Sequence, residues 1–395
     1  MLCSNYQLTT NIIRNGMKLA LYTTAKIYGP KQTGGIKRFA ELTEYASKNL
    51  DGTILYSSDD NSVISECGIR DHVKLRDATG NRLFPPETRM LLSNKQIVKQ
   101  IKKHGFEKTV IFDVPTSTGP LLYGLKNVVL MIRKDMIGYE KVQNKSKSKW
   151  LKICFQWICE SICMSRAKLI ITQCNYDKDV LKGRHPFLAK KIEKNTVVQI
   201  NNVNPSWIVQ KSERADDNVN IFDVSDKFRI CFIGGFGNPR KGQDLLLAAA
   251  IKILKERNDV QFIMIGGGSR LEEYKGKFKS EDIMFLGRQD NPLGILKQCD
   301  LLVVPSYADS CPNTVMEALY NGVPVIGSNA GGIPEILKDG NALFNLDAGS
   351  LKERILLYIN DRKALLELKK WQEQRKEELT FDWAQRIVEI ISEYK

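Results

Sequence analysis

The sequence predicts an α/β protein made of two doubly wound, Rossmann-like domains facing each other across a cleft. Three observations predict it. The chain has 395 residues, more than one hydrophobic core organises at about 100 to 200 residues per domain. Short β-branched runs without polar alternation recur between helix-length segments, the pattern of parallel sheets covered on both faces. That series occurs twice, and the polar stretch 210–226 (QKSERADDNVNIFDVSD) separates the two copies.

In chain order, the first series offers strands at 18–22 (KLALY), 53–56 (TILY), 109–112 (TVIF), 128–132 (VVLMI), 169–172 (LIIT) and 197–200 (VVQI). The second offers 229–233 (RICFI), 261–265 (QFIMI), 283–286 (IMFL), 301–304 (LLVV), 324–327 (PVIG) and 342–344 (ALF). These runs set a first domain at 17–205, a linker at 206–226 and a second domain at 227–380. Residues 1–16 have neither the basic start nor the apolar middle of a signal peptide, and read as a disordered leader or an overlong start before Met17. In such sheets a ligand binds at the carboxyl ends of the strands, here expected where the two domains face each other.

Composition narrows the classes. With 43% hydrophobic residues, 28 Gly and 13 Pro, the chain is globular rather than disordered or fibrous. Its nine cysteines form an odd set without paired spacing, which fits free thiols in a reducing cytoplasm and sets the expected location there. His72, His104 and His185 are scattered, so neither a metal centre nor a Ser/Cys–His–Asp triad is expected. No apolar run is long enough to span a bilayer.

Charge is uneven. Residues 1–200 carry 33 Lys and Arg against 17 Asp and Glu, whereas the remainder is close to balance at 26 and 28. A basic half meets phosphates, whether of nucleic acid, an anionic lipid surface or a diphosphate substrate. Its densest part, 141–152 (KVQNKSKSKWLK), leads into an apolar helical stretch. That suits peripheral docking on a membrane surface as well as a solvated loop before a core helix.

The second half holds the motifs. After strand 229–233 comes GGFGNPRKG, in which Gly235 lets backbone approach a ligand and Arg240 and Lys241 add two cations before a helix start. Strand 261–265 is followed by Gly266-Gly267-Gly268, a second close-approach turn. Beyond strand 301–304, Asp309 sits in a loop, and Glu317 in a helix opened by Pro312-Asn313-Thr314. Two carboxylates so placed can bind different hydroxyls of one ligand. Gly331-Gly332 give another such loop, with Glu335 close behind.

These residues resemble the donor-binding domain of the family-4 glycosyltransferases, retaining nucleotide-sugar enzymes of the glycosyltransferase-B fold. The resemblance rests on Lys241-Gly242, Gly266-Gly267-Gly268, Leu286-Gly287, Val304-Pro305-Ser306, the acids ending in Glu317-Ala318, Gly322-Val323-Pro324-Val325 and Gly331-Gly332-Ile333-Pro334-Glu335, strongly over 229–345. More loosely, Thr33-Gly34-Gly35, 166–172 (RAKLIIT) and Asn201-Asn202-Val203-Asn204 match in the first half, and Phe381-Asp382-Trp383 is similar to the family's terminal helix, which crosses back onto the first domain.

The resemblance implies roles. Glu317 would hold the ribose hydroxyls, Asp309 the sugar hydroxyls, Lys241 the diphosphate and backbone near Arg288 the base. Gly34, Gly35, Gly235, Gly267, Asn313, Thr314, Gly331 and Gly332 would complete the donor site. Three positions depart from the family: Asp309 stands where glutamate is usual, Phe236 where an arginine grips the diphosphate, with Arg240 nearby as its replacement, and Arg133-Lys134-Asp135 where His-Asp lies near the reacting sugar. Arg133 and Asp135 are thus the acceptor-side candidates.

Glycosyl transfer from a nucleotide diphosphate develops negative charge on the leaving phosphate, so preset cations and N–H groups are the largest help a protein can give. Lys241, Arg240 and the Gly34-Gly35 loop are the candidates, and no metal or other cofactor is obligatory. The resemblance implies front-face retention without a protein base, and an acceptor that is a glycan or lipid-diphosphate carrier in bacterial surface polysaccharide synthesis. The alternatives are a non-catalytic sugar-nucleotide binder or a protein binding nucleic acid or another anionic surface. No zinc-ligand spacing, RNP-like aromatic string or helix-turn-helix favours nucleic acid.

Overall fold

The computed structural model describes residues 17–28, 34–75, 95–143, 149–204, 222 and 226–394. The proposed leader 1–16, Thr33, Lys145, Lys147 and all of the proposed linker except Phe222 and Asp226 lie outside them. The chain forms two compact units, one from within Met1–Ile137, Ser146–Gln199 and Asp382–Lys395, the other from Gly138–Lys145 and Ile200–Phe381.

The first unit holds strands β1 (Leu19–Tyr22), β2 (Ile54–Ser57), β3 (His72–Lys74), β4 (Lys108–Phe112), β5 (Val128–Ile132), β6 (Leu169–Thr172) and β7 (Thr196–Val198). They form one sheet in the order β3-β2-β1-β4-β5-β6-β7, every pair parallel. β1 and β5 are buried along their whole length, which is why their sequences lack polar alternation. Helices α1 (Gly34–Asn49), α2 (Asn61–Glu66), α3 (Lys95–His104), α4 (Val114–Leu122), α5 (Met136–Gln143), most of which falls in the second unit, α6 (Lys149–Arg166), α7 (Asn175–Arg184) and α8 (Ala189–Asn195) follow in chain order.

β3 was not expected from the sequence. Two of its three residues, His72 and Lys74, are polar and none is fully buried, as an edge strand permits, so hydrophobic runs do not reveal it. It joins the sheet through backbone pairing with β2, in the register Leu55↔His72.

The second unit repeats the plan with β8 (Phe228–Ile233), β9 (Val260–Ile265), β10 (Ile283–Gly287), β11 (Leu301–Val304), β12 (Val325–Ser328) and β13 (Leu343–Phe344) in the all-parallel order β10-β9-β8-β11-β12-β13. Its helices are α9 (Gln243–Leu254), α10 (Leu271–Lys277), α11 (Pro292–Leu296), α12 (Asn313–Tyr320), α13 (Ile333–Leu337), α14 (Ala348–Asn360) and α15 (Arg362–Leu379). Phe222 is buried in this unit's core, with the Arg229 guanidinium 4.8 Å above its ring.

The last helix, α16 (Trp383–Glu393), belongs to the first unit. Its apolar face packs on α1, Trp383 is buried, the Arg38 guanidinium lies 5.1 Å over the indole, and Lys108 Nζ donates to the Tyr394 carbonyl at 2.6 Å.

Both sheets reverse their winding direction once, between β1 and β4 and between β8 and β11. The loops leaving those strands diverge to opposite faces, and the gap between them is where such sheets take ligands. The topology therefore selects the loops after β8 and β11 in one unit, and those after β1 and β4 in the other.

Candidate active site

The loop after β8 ends in a short 3-10 turn, Pro239–Lys241, opened by Asn238, whose side-chain oxygen accepts from the Arg240 N–H at 3.2 Å. The turn aims its two cations at the loop after β11. Lys241 Nζ lies 2.6 Å from Asp309 Oδ2, and Arg240 Nη1 lies 3.1 Å from the same oxygen. Arg240 also donates to the Ala308 carbonyl. Three residues selected from the sequence thus meet in one ion cluster, with side chains between 14% and 23% exposed.

Burial of Asp309 works against its ionisation, but Lys241 and then Arg240 outweigh burial and hold its carboxyl below the usual aspartate range. The carboxylate orients both cations and the cluster keeps a net positive charge. The Asp309 backbone is also fixed, since its carbonyl accepts from the Gly332 N–H at 2.9 Å. Gly331 is required beside it: φ is 60° there, and a Cβ would overlap the Asp309 carbonyl oxygen.

On the β9 and β10 side, the Phe236 N–H donates to the Gly267 carbonyl at 3.0 Å and the Gly266 N–H to the Gly287 carbonyl at 2.7 Å. These bonds lace three strand-end loops together. They place Gly235 and Gly267 near one another, with Arg288 packed against Gly267. In α12, Val315, Met316, Ala318 and Leu319 are buried, whereas Asn313, Thr314 and Glu317 share the half-buried face at helical spacing. Gly331 and Gly332 lead into α13.

Phe236 stands where the resembling family has an arginine, and its ring is turned inward. It is fully buried and meets Phe232, Tyr274 and Phe285 edge-on at 5.9, 5.5 and 5.8 Å. Phe236→Ala should therefore cost about 3–5 kcal/mol in denaturant unfolding. A loss under about 1 kcal/mol would place the ring outside the core.

In the first unit, Gly34 and Gly35 open α1. The Arg133 guanidinium, from the end of β5, occupies the space that a side chain on Gly35 would need. Asp135 does not join it. Asp135 pairs with Arg184 at 2.7 Å, and Arg184 in turn holds Glu160 through two bonds of 2.9 and 2.8 Å. Glu160 also meets the buried His185 at 2.8 Å. The two acceptor-side candidates are therefore divided, and the partner of Arg133 is Asp113, which sequence reasoning missed. Phe-Asp-Val-Pro carries no motif that singles that aspartate out.

Among the described residues no group of three or more His, Cys, Asp or Glu side chains is placed to hold a metal ion.

The sequence model of the family described as glycosyl transferases group 1 matches residues 227–361, from β8 to the end of α14. The second unit thus carries the sequence pattern of the group 1 glycosyltransferases over about a third of the chain. Among proteins similar to this chain, the N-acetyl-alpha-D-glucosaminyl L-malate synthase of Bacillus anthracis is 31% identical over 133 residues, which cover 32% of this chain and 34% of that protein. The match thus spans about a third of that relative. The spore coat protein SA of Bacillus subtilis is 24% identical over 405 residues, covering 96% of this chain and 99% of that one. The structure of Anabaena Alr3699/HepE in complex with UDP and glucose superposes with a TM-score of 0.67 at 15% identity, covering 96% of this chain and all of that one. That likeness is one of fold, and the fold is the glycosyltransferase-B type.

Proposed function

We propose that this protein transfers a sugar from a nucleotide-diphosphate donor to a glycan or lipid-linked acceptor, with retention of anomeric configuration, in the assembly of a surface polysaccharide or glycolipid. The observation that carries the reading is the Lys241–Asp309–Arg240 cluster at the winding reversal of the second sheet. It presents a net positive, half-shielded group beside glycine loops and the Glu317 face, as a departing diphosphate and its nucleoside require. The relative from Bacillus anthracis is an N-acetyl-alpha-D-glucosaminyl L-malate synthase, which supports a sugar as the group moved, and the Anabaena protein was solved with UDP and glucose, which supports a nucleotide-sugar donor. Lys241 and Arg240 stabilise the leaving phosphate, Glu317 holds the ribose, and no protein base or metal is needed. Incubation with UDP-, GDP- and ADP-sugars, scoring nucleotide release and product anomer by NMR, tests the reading: release of one nucleotide with a retained anomer supports it, and no release with any donor opposes it.

The acceptor is proposed to lie at an anionic membrane surface on the cytoplasmic side. No described helix is long and apolar enough to cross a membrane, but α6 leaves Trp150, Leu151, Phe155, Trp157 and Ile158 exposed, Leu151 to 77%, while Ile153, Cys159, Cys163 and Met164 face inward. So large an apolar stripe beside Lys149 and Lys152 fits an interfacial helix. Replacing Trp150 and Leu151 by serine and Lys149 by glutamine should lower sedimentation with anionic vesicles, with about 1 kcal/mol from the lysine, while donor hydrolysis in solution is unchanged. A wild type that fails to sediment at low salt would make the acceptor a soluble one.

A further inference from the structure

One acid of the first unit has no part in the reaction assigned above. Asp113 directly follows β4 with φ 65° and ψ 150°, a backbone region that glycine adopts freely and other residues occupy only at a cost in free energy. The position precedes α4, yet the Asp113 side chain makes no capping hydrogen bond to that helix. Both carboxylate oxygens turn to the neighbouring strand end instead. Oδ1 accepts from the backbone N–H of Arg133 at 3.3 Å, and Oδ2 pairs with the Arg133 guanidinium.

Arg133 is bounded on two further sides. Its guanidinium carbon lies 5.1 Å from the Phe112 ring centre, and Gly35 leaves the space it fills. The pair is not deeply enclosed, with side chains 20% and 12% exposed. Such a half-buried ion pair adds little net stability, and the strained backbone subtracts from it. A stabilising role therefore does not account for an aspartate here. Strain of this kind persists where geometry is needed for function.

We propose that Asp113 is a positioning residue for glycosyl transfer, fixing the Arg133 guanidinium over the head of α1 at the winding reversal of the first sheet. The inference rests on the transferase reading above. A planar guanidinium on a long side chain gains most from being set in advance, because its ordering then costs nothing when the substrate arrives. Asp113 accordingly acts on turnover through Arg133, and not on binding of the nucleoside, whose proposed contacts at Glu317 and Arg288 lie in the other unit.

Asp113→Gly tests this, since it removes the carboxylate and relieves the backbone at once. The expected result is a fall in kcat of about 10-fold or more, with donor KM and the nucleotide-induced thermal shift within about twofold of wild type and Tm within a few degrees of it, relief of the backbone opposing loss of the ion pair. Adding Asp113→Gly to Arg133→Ala should cost nothing further, because both act through one guanidinium. If Asp113→Gly keeps wild-type kcat, or if the two losses multiply, the positioning role is wrong although the transferase reading stands. A wild type that turns over no nucleotide sugar overturns the transferase reading and this role with it.

Discussion

Glu317→Ala should lose most nucleotide-sugar binding and keep its fold. Glu317 lies on the half-buried face of α12 with Asn313 and Thr314, apart from the buried Val315, Met316, Ala318 and Leu319. Alanine there also favours the helix. A hydrogen bond to a charged group is worth about 1.5–3 kcal/mol, so a carboxylate that holds two ribose hydroxyls should cost roughly 100-fold or more in affinity when removed. Calorimetric titration with the donor nucleotide reads this directly, alongside an unchanged circular dichroism spectrum. Affinity within twofold of wild type would remove Glu317 from the ribose site.

The second large effect is expected at Lys241. Its Nζ lies 2.6 Å from Asp309, and in the proposed transfer its charge matters most as the leaving phosphate develops its own. Removal of one such preset group typically costs about 10²–10³ in kcat. Lys241→Ala should therefore lower kcat steeply and KM little, and a variant changed only in KM would contradict the role. The same substitution has a pH signature. Asp309 is held below its ordinary range, so its contribution to stability is present above the unfolded pKa of about 3.9 and is lost as pH falls through the lower folded value. With Lys241 gone, burial is opposed by Arg240 alone. The acid limb of the stability curve should then move to higher pH, as thermal unfolding from pH 3 to 6 would show.

Buried strands were legible because a parallel strand covered on both faces must be apolar throughout, as 128–132 and 301–304 are. β3 was not, because an edge strand held by backbone pairing needs no apolar run. The loop glycines and the acid pair were legible as chemistry, but the ion cluster was not: nothing in spacing says that Arg240 and Lys241 converge on one oxygen of Asp309. That follows from the strand order, which brings the ends of β8 and β11 side by side although about seventy residues separate them. Phe236 shows the converse limit. The sequence showed an absent arginine, and only packing reveals that the position faces the core. Asp113 was invisible because its significance lies in a backbone angle and in a contact with the neighbouring strand end.

On the proposed function, the unit that contains residues 227–361 holds a nucleoside diphosphate between its β8, β11 and α12 elements. Thermal unfolding of the wild type in UDP, GDP and ADP tests it most directly, because a ligand at 100 times its Kd adds about 2.7 kcal/mol of stability. One of the three should raise Tm by several degrees, and Glu317→Ala should abolish the rise. No shift with any of them, or a shift that Glu317→Ala leaves intact, would contradict it.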